Sequence, residues 1–267
     1  GKQKGFLHMK KLGFIGAGNM GGALLDACAK KISGEEIIVT DPDAARVTHF
    51  SEKYGCAAGS AEETARSAEY IFIGVKPQMA PDAFAQIRPV LAARENPPVL
   101  VSMMAGITTE RIRELAGIDC PIIRIMPNVA AAVGEAMILA ASLDAPEDTV
   151  SEFCGFMSEA GRLDFIPEKL IDAGTAVQGC GPAFVCMFIE AMADGAVKCG
   201  IPRAKAYEYA IQTLRGTAAL LEETGKHPAE VKDMVTSPAG STIEGVLALE
   251  ENGFHHAVTE AVVKSYQ

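Results

Sequence analysis

The sequence predicts an α/β protein in which a parallel sheet flanked by helices comes first and an all-helical part follows. Two observations predict it. Short apolar runs alternate with longer amphipathic segments over residues 11–164, which is typical of a parallel sheet with helices on its faces. Strand patterns then stop, and Ala-rich helical patterns divided by Gly and Pro follow. We therefore expect two domains, over residues 9–166 and 167–267.

The first domain is predicted to contain at least five strands, joined by helices. The apolar runs that predict strands are 12–15, 36–40, 70–75, 98–103 and 121–126. The amphipathic segments between them predict helices at 20–31, 43–54, 80–93 and 108–115. Two further runs, 135–142 and 162–166, are candidates to extend the sheet, with a helix at 147–159 between them.

The second domain is predicted to contain helices at 183–198, 203–223, 228–235 and 242–250. Residues 183–197 are apolar on nearly all sides, so other helices must enclose them. A helical domain of about a hundred residues buries too little surface to do so alone, which favours an intertwined homodimer. Glu190 and Asp194 interrupt this segment, and it is shorter than the roughly 20 apolar residues of a membrane span. We expect no membrane association.

Composition excludes some classes of protein. The formal net charge is −10 and Lys and Arg form no basic patch, which argues against a nucleic-acid partner. The seven cysteines are an odd number without a C-x-x-C pair, which favours reduced thiols over disulfides or a metal site, and hence a cytoplasmic location. The first eight residues lack an apolar run of signal-peptide length, and Met9 has the features of the native start.

The stretch GFIGAGNMGG, residues 13–22, lies between the first predicted strand and the first predicted helix. In a Rossmann-type dinucleotide-binding domain, Gly16 would permit the tight turn, Gly18 the approach of a pyrophosphate, and Gly21 close packing of helix on strand. The free N–H groups at the helix start would receive the anion. The alternative is a simple glycine turn, but the strand and helix around the motif favour the binding function.

Asp41 ends the second predicted strand, about 20 residues after the last glycine of the motif. A carboxylate there would accept a hydrogen bond from a ribose 2′-OH and repel a 2′-phosphate, which favours NADH over NADPH. Two alternatives stay open. Asp41 could instead cap the helix that begins near Asp43, and Arg46 could accommodate the phosphate.

Two more segments follow strands, where open α/β sheets bind ligands. They are Val75-Lys76-Pro77 and Met104-Ala105-Gly106, and the second is small enough to lie flat against a nicotinamide ring. Each segment taken alone is also typical of a connecting loop.

The stretch VTSPAGSTIEG, residues 235–245, predicts an anion site at a helix start. Ser237 is a suitable N-cap and Pro238 suits the first helical position. The amides that follow would then be unpaired, and the hydroxyls of Ser241 and Thr242 would add donors, an arrangement that suits a small carboxylate. Gly240 would let the ligand approach the backbone. A capped helix start without a ligand is the alternative.

Several motifs occur in order along the chain: GFIGAGNMGGAL, GVKPQ, MAGI, MPN, TAVQGCGPAF, ADGAVKCGIPR and VTSPAGSTIEGVLALE. Together they resemble the pyrroline-5-carboxylate reductase family, and the resemblance extends nearly from Lys10 to Gln267. It implies an oxidoreductase that makes L-proline by reducing the cyclic imine (S)-1-pyrroline-5-carboxylate with NADH or NADPH. It also implies a dinucleotide-binding domain followed by an all-α dimerisation domain; several members of the family assemble dimers into decamers.

The resemblance implies roles for particular residues. Thr242 matches the threonine proposed to donate a hydrogen bond or proton to the imine nitrogen. The implied substrate-binding residues are Ser237, Gly240, Ser241 and Thr242. Together with the glycine turn and the two strand ends, the predicted cofactor-binding set is Gly16, Ala17, Gly18, Asn19, Met20, Gly21, Asp41, Val75, Lys76, Pro77, Ala105 and Gly106.

The chain departs from the family pattern at three places. Val129-Ala130 follows Met-Pro-Asn where Thr-Pro is usual, Gln178-Gly179-Cys180 stands where Ser-Gly-Ser is usual, and Gly59-Ser60-Ala61 lacks an Asn. Two alternative functions stay open: a non-catalytic nucleotide-binding regulatory homologue, and a reductase of another cyclic imine. A β-hydroxyacid dehydrogenase is disfavoured, because residues 183–195 contain no Lys.

Overall fold

The computed structural model describes residues 8–266. Of the segment before Met9, only His8 lies among them, so the expectation about this leader falls outside the described residues. The chain divides into two compact units, the first ending at Gly179 and the second beginning at Cys180.

Eight strands of the described chain form one sheet in the first unit. They are β1 (Lys10–Ile15), β2 (Ile37–Thr40), β3 (Ala57–Ala58), β4 (Ala68–Ile73), β5 (Val99–Ser102), β6 (Ile122–Met126), β7 (Ala136–Leu143) and β8 (Gly161–Phe165). Their order is β3-β2-β1-β4-β5-β6-β7-β8, and only the β6–β7 pair is antiparallel among these neighbours. Because the order reverses beside β1, a crevice opens at the carboxyl ends of β1 and β4.

Helices cover both faces of this sheet. In the first unit they are α1 (Asn19–Cys28), α2 (Ala44–Tyr54), α3 (Ala61–Ser67), α4 (Ala80–Ala92), α5 (Thr109–Ala116), α6 (Glu147–Met157) and α7 (Ile171–Gln178). Apolar side chains form a buried cluster on each face, and a stack of Phe14 on Phe72 at 4.5 Å lies in one of them. Burial of these apolar runs is the main stabilising term for such a sheet.

The predicted α/β class with a following helical domain is confirmed. The five predicted strands form, and the runs 135–142 and 162–166 become β7 and β8. The periodicity did not predict β3, α3, α7 or the helix 254–266. A two-residue edge strand and the short polar helix α3 carry little periodic signal; α3 is instead defined by a capping box in which the side chains of Ser60 and Glu63 each accept a hydrogen bond from the other residue's backbone N–H.

The segment after β8 is fixed to the first unit, beyond the predicted boundary at 166/167. Arg124 of β6 is buried and forms ion pairs with Glu168 (3.2 Å) and Asp172 (3.3 Å). Glu168 also accepts hydrogen bonds from the N–H and hydroxyl of Thr109. Because a buried guanidinium needs such partners, α7 belongs to the sheet domain, and the compact units divide after Gly179.

The second unit consists of helices: α8 (Gly181–Lys198), α9 (Arg203–Thr224), α10 (Pro228–Met234), α11 (Ser241–Glu251) and α12 (Phe254–Tyr266). Within the described chain α8 is largely open, with Val185, Met187 and Met192 exposed and Ala193 buried. Among residues 8–266, one helical stretch, Glu168–Lys198, is long and apolar enough to cross a membrane by length and composition. Core helices of soluble proteins meet the same criteria, so this is weak evidence of membrane association.

Candidate dinucleotide and substrate sites

The glycine turn is built by close contacts between backbones. Gly16 follows β1 with φ +98°, its N–H donates to the Thr40 carbonyl (2.9 Å), and a Cβ on it would lie 2.8 Å from the backbone of Gly74. A Cβ on Gly21 would lie 2.5 Å from the Gly16 carbonyl oxygen. Residues 16 and 21 therefore admit only glycine without a shift of the backbone.

Gly18 differs from these two glycines. It is the N-cap of α1 with φ −65°, and a Cβ there would meet nothing closer than a guanidinium nitrogen of Arg46 at 3.6 Å. No side chain of the described residues caps this helix, so the N–H groups of its first turn remain free to bind an anion. The missing Cβ thus leaves room for a ligand rather than for the protein itself.

A cavity of about 1040 Å³ opens at these carboxyl strand ends. It is lined by most of the predicted cofactor residues: Gly16, Gly18, Asn19, Met20, Gly21, Asp41, Val75, Lys76, Pro77 and Ala105. Ala17 and Gly106 do not line it. Ala17 is buried behind the turn, and Gly106 is exposed beyond Ala105 with φ +74°.

The cavity also has walls that the sequence argument missed. They include Ser60, Met79, Asp82, Gln86 and Met103. These residues come from the start of α3, from α4 and the residue before it, and from the residue after β5. That these segments follow strands was a signal in the sequence that they could reach the cavity. Which of their side chains face the cavity depends on tertiary packing, which leaves no local sequence pattern.

Asp41 has a structural contact that the sequence did not reveal. Its side chain is 4% exposed, and its two oxygens accept hydrogen bonds from the N–H of Ala17 (2.7 Å) and of Asp43 (2.8 Å). Asp43, not Asp41, caps α2 by accepting from the N–H of Ala45. The capping alternative for Asp41 was therefore wrong, because the carboxylate instead joins the glycine turn to the start of α2.

Charges beside Asp41 are mixed. The Arg46 guanidinium lies 3.6 Å from an oxygen of Asp41 and 3.7 Å from one of Asp43. All three residues line the cavity. Two carboxylates and one guanidinium leave this part of the wall with a net negative charge, which disfavours a further phosphate group.

The residues present fit a dinucleotide. Free amides at an uncapped helix start, a glycine whose Cβ position is open, and a cavity at the topological switch point are the features that receive a pyrophosphate and its two nucleosides. The arrangement would hold a nicotinamide dinucleotide through Gly18 and the first turn of α1, with Asp41 on the ribose side. Among residues 8–266, no group of three or more His, Cys, Asp or Glu side chains could hold a metal ion.

The predicted substrate loop lies in the second unit, and one detail of the prediction was wrong. Ser237 does not cap a helix: its carbonyl accepts the N–H of Gly240 (3.1 Å) in a turn through Pro238 and Ala239. Helix α11 begins only at Ser241, with Gly240 as its N-cap. Proline at the second position of that turn fixes the turn in place of a helical start.

The shift exposes a different set of amides. Because α11 begins at Ser241, the first N–H groups of the helix belong to Ser241, Thr242 and Ile243. No described side chain caps them. A Cβ on Gly240 would lie 2.5 Å from the Ser237 hydroxyl oxygen. Ala239 has φ +54°, a strained conformation for an L-residue that is typical of ligand-binding loops.

Comparisons with known proteins match the two parts of the chain to different family models. Residues 168–267 match the family model "Pyrroline-5-carboxylate reductase dimerisation", and residues 11–106 match "NADP oxidoreductase coenzyme F420-dependent". Pyrroline-5-carboxylate reductases of Synechocystis and of Escherichia coli strain K12 are each 41% identical, over 96% of this chain and 96% and 95% of their own lengths.

Solved structures show the same similarity. The Plasmodium falciparum pyrroline carboxylate reductase with NADP bound is 30% identical, with a TM-score of 0.84 over 96% of this chain and 95% of that one. The Streptococcus pyogenes enzyme is 29% identical, with a TM-score of 0.80 over 96% of each. Fold and site define a nicotinamide-dependent oxidoreductase. The chain belongs to the pyrroline-5-carboxylate reductase family.

The glycine turn generates a prediction. Gly18→Ala is expected to fold with an unchanged melting temperature, because its φ suits alanine and its Cβ has space. It is expected to weaken NADH and NADPH binding about tenfold or more, since the methyl group occupies the approach of the pyrophosphate. Titration of cofactor fluorescence measures this.

The matched control is Gly155→Ala on α6, where a Cβ also meets nothing within 4 Å and the residue does not line the cavity. Equal cofactor affinity of the two variants would show that Gly18 does not approach the cofactor.

Proposed function

We propose that this protein reduces (S)-1-pyrroline-5-carboxylate to L-proline with NADH or NADPH, the last step of proline biosynthesis. The observation that carries the proposal is that relatives of this name match 96% of the chain. The match thus includes both the dinucleotide cavity and the substrate loop. When bound, the nicotinamide supplies a hydride to the imine carbon, and the imine nitrogen needs a proton.

The chain's own residues then have three tasks. The first amides of α11 and the hydroxyls of Ser237 and Ser241 hold the substrate carboxylate by charge-assisted hydrogen bonds. The strained Ala239 turn fixes Gly240 where the substrate ring can approach the backbone. The Thr242 hydroxyl donates a hydrogen bond or proton to the imine nitrogen. Orientation and one donor suffice because the imine is already electrophilic.

The role of Thr242 is tested by substitution. Thr242→Ala is expected to lower turnover about a hundredfold, the usual magnitude for losing a positioned proton donor, while cofactor affinity is unchanged. Thr242→Ser keeps the hydroxyl and is expected to restore most of the rate. Steady-state kinetics of both variants measures this, and full activity of the alanine variant would remove Thr242 from the mechanism.

For the cofactor we propose a preference for NADH. The support is the negative charge of Asp41 and Asp43 at the cavity wall, which Arg46 offsets only in part. The NADP-bound P. falciparum structure shows that a relative accepts the phosphorylated cofactor. The preference in this chain therefore rests on its own residues.

Kinetics with the two cofactors tests activity and preference together. Either cofactor should be oxidised only when pyrroline-5-carboxylate is added, with a lower KM for NADH. Asp43→Asn removes one charge and keeps the capping oxygen of α2, so it should lower the KM for NADPH about fivefold, the effect of roughly 1 kcal/mol, and change that for NADH little. Asp26→Asn is a control, because Asp26 does not line this cavity.

The outcomes also separate the alternatives. Cofactor binding without turnover of any cyclic imine would favour a regulatory homologue. Turnover of a different imine alone would make the protein a reductase with another substrate. An NADPH preference that Asp43→Asn does not change would refute the electrostatic argument.

We propose a homodimer formed through the helical unit, since the family model for residues 168–267 is a dimerisation domain. Val185, Met187 and Met192 of α8 are exposed apolar side chains. Large exposed apolar patches are rare on monomeric proteins and mark interaction sites, which supports an interface on this helix. Sedimentation should give at least twice the 28.1 kDa chain mass, and ten times that mass would indicate a decamer. A monomer at micromolar concentration would contradict the proposal.

We propose a cytoplasmic location, supported by the reduced state that the odd number of scattered cysteines favours. Burial raises the pKa of the Cys56 and Cys120 thiols to about 11, so these two are inert thiols rather than nucleophiles. Fractionation of cells that express the full chain tests the location; recovery with the membrane or periplasm would contradict it.

A further inference from the structure

Gln178 is the last residue of α7 and is 8% exposed. The side-chain Nε2 of Gln178 donates to the Met126 backbone carbonyl (3.1 Å), and the backbone carbonyl of Gln178 accepts from the Asn128 Nδ2 (3.0 Å). Two hydrogen bonds of opposite direction thus join the end of α7 to the carboxyl end of β6. All of these residues lie in the first unit.

Asn128 carries this connection toward the glycine turn. Its Oδ1 accepts from the N–H of Ala130 (3.1 Å) and so caps the 3₁₀ helix Val129–Val133. That helix packs against α1. Ala132 and Gly18 both line a second cleft of about 440 Å³. A continuous series of contacts therefore runs from Gln178 to the helix whose first turn would receive the pyrophosphate.

The side-chain oxygen of Gln178 indicates that the hydrogen bond from its Nε2 has a role beyond packing. Its Oε1 is buried and has no hydrogen-bond partner among residues 8–266. A buried, unpaired amide oxygen is unfavourable, so an apolar side chain would pack better if packing alone counted. The amide N–H is the group that distinguishes Gln178 from such a side chain. Gln178 and the two residues that follow Asn128, Val129-Ala130, are places where the chain departs from the family pattern.

We propose that Gln178 is a positioning residue for cofactor binding. Its amide N–H holds residues 126–128, these hold the 3₁₀ helix, and the 3₁₀ helix sets α1 and the glycine turn in the geometry that binds the dinucleotide. Gln178 does not line the cavity, so it acts through Asn128 and not by touching the cofactor. The inference rests on the dinucleotide site of the proposed function.

The test is an NADH titration without substrate, so that the result is independent of whether pyrroline-5-carboxylate is reduced. Gln178→Met keeps the length and removes the donor; it is expected to raise the Kd for NADH about fivefold, the value of one net hydrogen bond. Asn128→Asp keeps the oxygen that caps the 3₁₀ helix and loses the donor to Gln178, and is expected to act in the same direction. Asn96→Asp, at an exposed site in the same unit, is the matched control.

Gln178→Glu adds a readout that a packing role would not change. Burial raises the pKa of a carboxyl group, and only its protonated form can donate to the Met126 carbonyl. The ratio of the Kd of Gln178→Glu to that of wild type should therefore fall toward one as the pH is lowered from 8 to 5.5. The same ratio for Gln178→Met should stay constant. Melting temperatures identify variants that fail to fold.

Wild-type NADH affinity in a folded Gln178→Met variant would overturn the proposal. If that variant does not fold, a Kd ratio of Gln178→Glu that does not change with pH would overturn it instead. A folded protein that binds NADH but reduces no pyrroline-5-carboxylate would contradict the proposed function and leave this inference standing.

Discussion

The first unit depends on one close approach of backbones at Gly16. There the end of β1 meets the Thr40 carbonyl at the end of β2, the backbone of Gly74 after β4, and Gly21 in α1. A side chain at residue 16 would separate three strands from the helix that they support. Because these elements converge without side chains between them, the amides of α1 face the opening at the switch point. The dinucleotide cavity is thus a direct consequence of backbone packing.

Elsewhere in the first unit, polar side chains determine which segments lie against each other, because apolar burial does not specify this. The Asp41 carboxylate accepts hydrogen bonds from the turn and from the start of α2, and Arg124 joins β6 to Glu168 and to Asp172 in α7. Such pairs add little to stability on their own. Their effect is to fix which segments approach each other, and the Asp41 contacts do so at the cavity wall itself. The part of the cavity wall around Asp41 is thus built from a residue that also holds the fold together.

Much of this could be predicted from the sequence. Buried parallel strands are continuous apolar runs, and Gly16 and Gly21 indicate a tight turn because no other residue suits their backbone positions. The start of α11 could not be located, because Ser237-Pro238 suits a helix start and a turn equally well, and only the folded chain shows the Ala239 conformation. The Asn128–Gln178 contact joins residues fifty positions apart, which leave no local pattern. The roles of the site residues remain predictions.

The left-handed conformation of Ala239 has a consequence for the energetics of the proposed reaction. A left-handed L-residue costs about 1 kcal/mol or more, and this cost is met once, when the chain folds. Under the proposed function, this conformation and the hydrogen bond from the Gly240 N–H to the Ser237 carbonyl would restrict the loop before a substrate arrives. A flexible loop would lose conformational entropy each time a ligand binds. In this loop part of that entropy is already lost when the chain folds. Under the proposed function, the strained Ala239 would therefore lower the entropic cost of binding a small anion at each turnover.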